Sequence, residues 1–134
     1  MTSKVSTLPK RGQELPEIPG AASDGRRLLT SDLHGRKNTV VIFSGEQSRE
    51  STQDLVRALS DRIGEIQDEE AEVIICEDNE LHRAAICISD RYGEVYFSAF
   101  FADTAPSADN VLEWLRYIEI QCPECGVSEW PAAA

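Results

Sequence analysis

The sequence predicts an α/β fold on one mixed sheet, and three features predict it. Residues 40–43 (Val-Val-Ile-Phe) and 73–76 (Val-Ile-Ile-Cys) are continuous apolar runs, the pattern of strands buried on both faces. Between them Leu55, Val56, Leu59, Ile63 and Ile66 recur at helical spacing. Further on, residues 84–88 and 95–100 flank Asp90-Arg91-Tyr92-Gly93, a hairpin signal. A strand–helix–strand crossover makes its two strands parallel, and the hairpin adds antiparallel ones.

The elements follow in order. Residues 1–20 carry Pro9, Pro16 and Pro19 with little periodicity, so an extended arm is expected. Asp24-Gly25 marks the turn of a small hairpin. Thr30-Ser31-Asp32-Leu33 reads as a short helical turn stopped by Gly35. Residues 40–43 suit the central strand. A helix is then expected to begin at Ser51, with Asp54 three residues on in a capping-box arrangement. It continues through Ile66 and ends in the acidic run Asp68-Glu69-Glu70. Glu80 to Arg83 reads as one helical turn. After the hairpin strands, Ser107 caps a last helix whose apolar face is Val111, Leu112, Leu115 and Ile118, widened by Trp114. The expected division is a flexible arm at 1–11, one domain at 12–121 and a tail at 122–134.

Composition narrows the function classes. A chain of 134 residues makes one domain and buries about two thirds of its unfolded surface. The net charge of −11, with scattered basic residues, argues against nucleic acid and against anionic membranes. No apolar run approaches the ~18 residues of a membrane helix, and no apolar segment of a secretory signal follows the first basic residues. A cytoplasmic location is expected. There the four cysteines are reduced thiols, redox-active thiols or metal ligands rather than structural disulfides.

Four pieces in order carry a resemblance. They are Gly12-Gln13-Glu14-Leu15-Pro16, Asp24-Gly25, Leu29-Thr30-Ser31-Asp32-Leu33-His34-Gly35, and the strand ending at Phe43. Asp90-Arg91-Tyr92-Gly93-Glu94-Val95 adds a fifth. Together they resemble the peroxiredoxin branch of the thioredoxin fold, the thiol-specific antioxidant and redoxin type, over about residues 12–100. The resemblance implies a reactive cysteine in the first turn of the helix after the Phe-ending strand. A helix start lowers a thiol's pKa through its partial positive charge and free N–H groups. Counting along the peroxiredoxin pattern lands on Ser51 or Thr52; counting along the thioredoxin pattern lands on Ser48 and Ser51. None is a thiol, and a hydroxyl has no sulfur oxidation ladder. The proline that the resemblance places before the facing strand is absent too, where Leu81-His82-Arg83-Ala84-Ala85 runs straight in. The stretch between Cys76 and Ile86 is also short, where a fuller thioredoxin domain carries another helix. A conventional peroxidase is not expected. The start with Ser48, Arg49, Ser51 and Thr52 suits a phosphate or carboxylate, against the plainer reading of Ser51 as an N-cap.

Sulfur chemistry then turns to Cys122-Pro123-Glu124-Cys125-Gly126. Three readings stand. As a redox pair, Cys122 and Cys125 have dithiol spacing, but they follow a helix C-terminus among Glu119, Glu124 and Glu129, which raises thiol pKa values. As a metal knuckle they supply two of the four ligands that structural zinc takes, so a shared centre needs two chains. As packing, the thiols and Trp130 close the helix end against the sheet. Cys76 and Cys87 belong to buried strands ~10 Å apart, two strand spacings, and do not complete a site. His34 reads as a surface residue and His82 has no ligand-spaced partner. Trp114 and Tyr117 read as packing, with an exposed aromatic patch the alternative. Glu69, Glu70 and Glu72 read as a solvated face.

The expected function is therefore a thioredoxin-like thiol–disulfide role through Cys122 and Cys125 with an unidentified protein redox partner. No cofactor, nucleic acid or membrane is expected. The alternative is a non-enzymatic binding module, a homodimer with zinc held by Cys122 and Cys125.

Overall fold

A computed structural model describes residues 6–45, 49–77, 79–81, 83–101 and 104–121. Its strands are β1 (Pro19–Ala22), β2 (Arg27–Leu29), β3 (Asn38–Phe43), β4 (Ala71–Cys76), β5 (Ala85–Ser89) and β6 (Val95–Phe100). The helices are α1 (Arg49–Ser60), α2 (Ile63–Asp68) and α3 (Ala108–Glu119). The sheet order is β2-β1-β4-β3-β5-β6. The all-buried run of β3 lies inside the sheet, parallel to β4 and antiparallel to β5. This is the expected mixed α/β architecture.

Turn chemistry sets the connections. Gly25 (φ 90°) and Gly93 (φ 89°) take the left-handed backbone that their tight turns require. In the second turn, the Asp90 carboxylate accepts from the Tyr92 and Glu94 amides, both at 2.9 Å. Thr30–Asp32 forms a single 3₁₀ turn, and the Ser107 hydroxyl accepts from the Asn110 amide at the start of α3.

All three helices cover one face of the sheet. Leu55 and Leu59 of α1, Ile66 of α2 and Val111, Leu112, Leu115 and Ile118 of α3 pack on Val40, Ile42, Val73, Ile86 and Ile88. Each such side chain contributes about 1.5–3 kcal/mol by leaving water. Trp114 stacks on Phe97 with ring centroids 5.2 Å apart, and Tyr117 meets Tyr96 edge-on, so both rings act in packing. On the opposite face Val41, Phe43, Cys76, Ala85, Cys87 and Val95 form a second cluster with Ile18 and Leu81, against which Leu8 and Leu15 pack.

Three local expectations change. The helix begins at Arg49, so Ser51 lies inside its first turn and is buried rather than capping it. Arg49 and Glu50 are exposed and polar, and so carried no periodic signal. The single helix through Ile66 is two. Arg62 leaves the helical region (φ −119°, ψ 28°), and its guanidinium binds Glu65 and, across to α3, Asp109. Gly64 adds low helix propensity just beyond. Among the described residues no helical turn spans 80–83. There Asn79 accepts from the Leu81 amide (3.0 Å), a local side-chain bond that competes with helix.

Candidate functional site

The parallel strands β3 and β4 end side by side, and α1 starts just beyond them. Ligand sites in open α/β sheets form at such carboxyl ends. A cavity of about 830 Å³ opens here. Ser44, Gly45, Ile75 and Glu77 line it from the strand ends; Arg49, Thr52, Gln53, Val56 and Arg57 line it from α1. Ser51 and Thr52 sit in the first turn of α1, 8% and 5% exposed.

Asn79 ties the two strand ends together. Its Nδ2 donates to the carbonyls of Ser44 (3.2 Å) and Cys76 (3.1 Å). In the sequence its only signal is an Asn next to a strand end, able to hold a turn. Gly45 has no such signal. A Cβ there would stand 2.4 Å from the Ala84 amide nitrogen and 2.5 Å from the Arg83 carbonyl carbon. That close approach brings the segment leading into β5 against the wall of the cavity.

The described cysteines are far from reactive. Cys76 and Cys87 are buried at 1% and 0% exposure. Burial pushes the Cys87 thiol up to about 12. Since the thiolate is the nucleophile, Cys87 is inert at neutral pH in this state. Cys76 pairs in register with Phe43, and Cys87 with Val41 on the other side of β3. One strand therefore separates the two cysteines.

Ser48, His82, Cys122, Cys125, Glu124, Glu129 and Trp130 lie outside the described residues. The helix that leads to the tail is described. Its last residue, Glu119, accepts from Asn38 Nδ2 (2.6 Å) and from Arg91. Asn38 opens β3, whereas the cavity lies past Phe43, so α3 ends at the opposite pole of the sheet from the cavity. The Glu119 charge expected to raise nearby thiol pKa values is paired with Arg91. Among the described residues no group of three or more His, Cys, Asp and Glu could hold a metal ion. None of the described helices is long and apolar enough to cross a membrane. His34 is exposed and lies over Gly93.

No family model matches the sequence, and no curated protein matches it. Among solved structures the chain is similar to a reduced 2-Cys peroxiredoxin from Plasmodium vivax. The TM-score is 0.65 at 12% identity, over 81% of this chain and 96% of that one. At that identity the likeness shows the fold alone, a thioredoxin-like mixed α/β fold.

Proposed function

We propose that this chain is a thioredoxin-fold protein without a peroxidatic cysteine, whose thiol–disulfide exchange is carried by Cys122 and Cys125. The observation supporting this reading is the placement of sulfur within the described fold. The first turn of α1 offers the hydroxyls of Ser51 and Thr52, and both described cysteines are buried in strands. The exchange has two steps. A tail thiolate attacks one sulfur of a partner disulfide, forming a mixed disulfide and releasing the other sulfur as thiolate. The second tail cysteine then displaces the partner, so Cys122 and Cys125 end oxidised and the partner ends as a dithiol. The reverse sequence oxidises a partner dithiol.

A second reading has support in the cavity at the start of α1. Its arginines, Arg49 and Arg57, suit a binding module for an anionic group, with Cys122 and Cys125 of two chains sharing one zinc. One experiment separates the two. Free thiols are counted on the purified chain with and without reductant, and bound zinc is measured on the same sample. A reversible loss of two thiols without zinc supports the redox pair. One zinc per two chains supports the clasp and removes the redox reading. Four thiols with neither zinc nor reversible oxidation remove both.

A further inference from the structure

The two faces of the sheet are covered unequally. Three helices cover one. Among the described residues, the other is covered by Leu8, Leu15 and Ile18 together with Leu81. Three of these four come from residues 6–18, which hold no helix and only the isolated bridge between Glu14 and Glu94. The segment occupies the face left open by the short connection between β4 and β5.

Its hydrogen bonds to the sheet gather at two places, the turn before β6 and the turn after β2. The Gly12 amide donates to the Val95 carbonyl (2.8 Å), the Val95 amide to Gln13 (2.9 Å) and the Leu15 amide to Gly93 (2.7 Å). Thr30 and Ser31 supply a second hold: the Thr30 amide donates to the Ile18 carbonyl and the Ser31 hydroxyl to Glu17, both at 3.0 Å, while Arg11 lies 5.8 Å over the Trp114 ring of α3. Thr30 also bonds through its side chain. Its hydroxyl donates to the Pro16 carbonyl and accepts from the Ile18 amide, both at 2.8 Å. β3, by contrast, is paired along its length on both sides. Segments with few tertiary anchors open at lower free energy than the core they cover.

We propose that residues 6–18 form a strap that releases as a unit while the helical face stays folded, and that this release is the route by which Cys76 and Cys87 meet solvent. With the strap closed, both thiols are screened, and burial also holds Cys87 in its protonated form. With it open, water reaches the face and Cys87 regains an ordinary thiol's acidity. Attachment of the arm thus controls the reactivity of two cysteines that the closed fold makes inert.

The test is alkylation of the full, reduced chain with iodoacetamide at several urea concentrations below the unfolding transition. Mass spectrometry of peptides reads Cys76 and Cys87 separately from Cys122 and Cys125. The strap predicts that Cys76 and Cys87 label together, with a urea dependence less than about half that of global unfolding, because a local opening exposes little surface. Leu15→Ala is expected to speed both reactions about tenfold. Leu55→Ala, on the helical face, lowers global stability yet leaves both rates within about twofold of the parent. Labelling that follows urea as steeply as global unfolding would overturn the strap, and this readout needs no variant. So would acceleration by the two substitutions in proportion to their effects on global stability.

Discussion

Gly45→Ala tests how the cavity wall is built. The new Cβ would lie 2.4 Å from Ala84 N, 2.5 Å from Arg83 C and 2.9 Å from Arg83 Cα, all backbone atoms. Ordinary contact begins near 3.4 Å, so the wall must retreat by about 1 Å. The movement falls where Phe43 pairs with Ala85, at the end of the β3–β5 ladder. Overpacking of this kind costs about 1–3 kcal/mol. The smaller unfolded-state entropy of alanine returns about 0.4–1 kcal/mol. The net expectation is a loss of about 1–2 kcal/mol. Gly64→Ala is the matched control. Gly64 lies in α2 with nothing within 4 Å of an added Cβ, so alanine should gain about 0.5–1 kcal/mol. Urea unfolding at constant slope reads both changes as opposite shifts of the midpoint. A Gly45→Ala chain as stable as the parent would refute the close approach.

Other predictions concern ionisable and polar groups. Burial raises the Cys87 thiol from 9.0 to about 12, so its contribution to stability is complete below about pH 9 and is lost as pH rises toward 12. Unfolding at stepped pH should therefore show the parent losing stability more steeply above pH 9 than Cys87→Ala. Hydrogen bonds from Arg62 hold the Glu65 and Asp109 carboxyls below their usual range. In Arg62→Met both should titrate at higher pH by NMR, and the stability they lend above the unfolded carboxylate range should no longer be lost on acidification. Asn38 is fully buried and donates to Glu69 O (3.0 Å) and Glu119 Oε1 (2.6 Å). Asn38→Ala strips both acceptors of a donor and should cost about 2–3 kcal/mol in urea unfolding.

The sheet was legible because its signals are local. β3 and β4 are apolar runs, Asp90 and Gly93 hold their turn, and Ser107 caps α3 as its spacing suggested. Counting from Phe43 also put Ser51 and Thr52 near the start of α1. What escaped was set by contacts between distant residues. The helix breaks at Arg62, whose partner Asp109 lies 47 residues away. Arg91 and Glu119 neutralise each other across 28 residues, which changes the charge next to the tail. Gly45 shows no special signal in the sequence because its constraint is the Arg83–Ala84 backbone. The proline-rich arm carries no periodicity, yet Leu8, Leu15 and Ile18 complete the second cluster, on a face that none of the described helices covers.

The most direct measurement adds hydrogen peroxide to the fully reduced chain and follows peroxide loss beside the state of each cysteine. Expected is slow peroxide loss, with Cys76 and Cys87 remaining thiols and oxidation confined to a Cys122–Cys125 disulfide that a dithiol reductant reverses. Rapid peroxide consumption, abolished by Cys76→Ser or Cys87→Ser, would contradict the account.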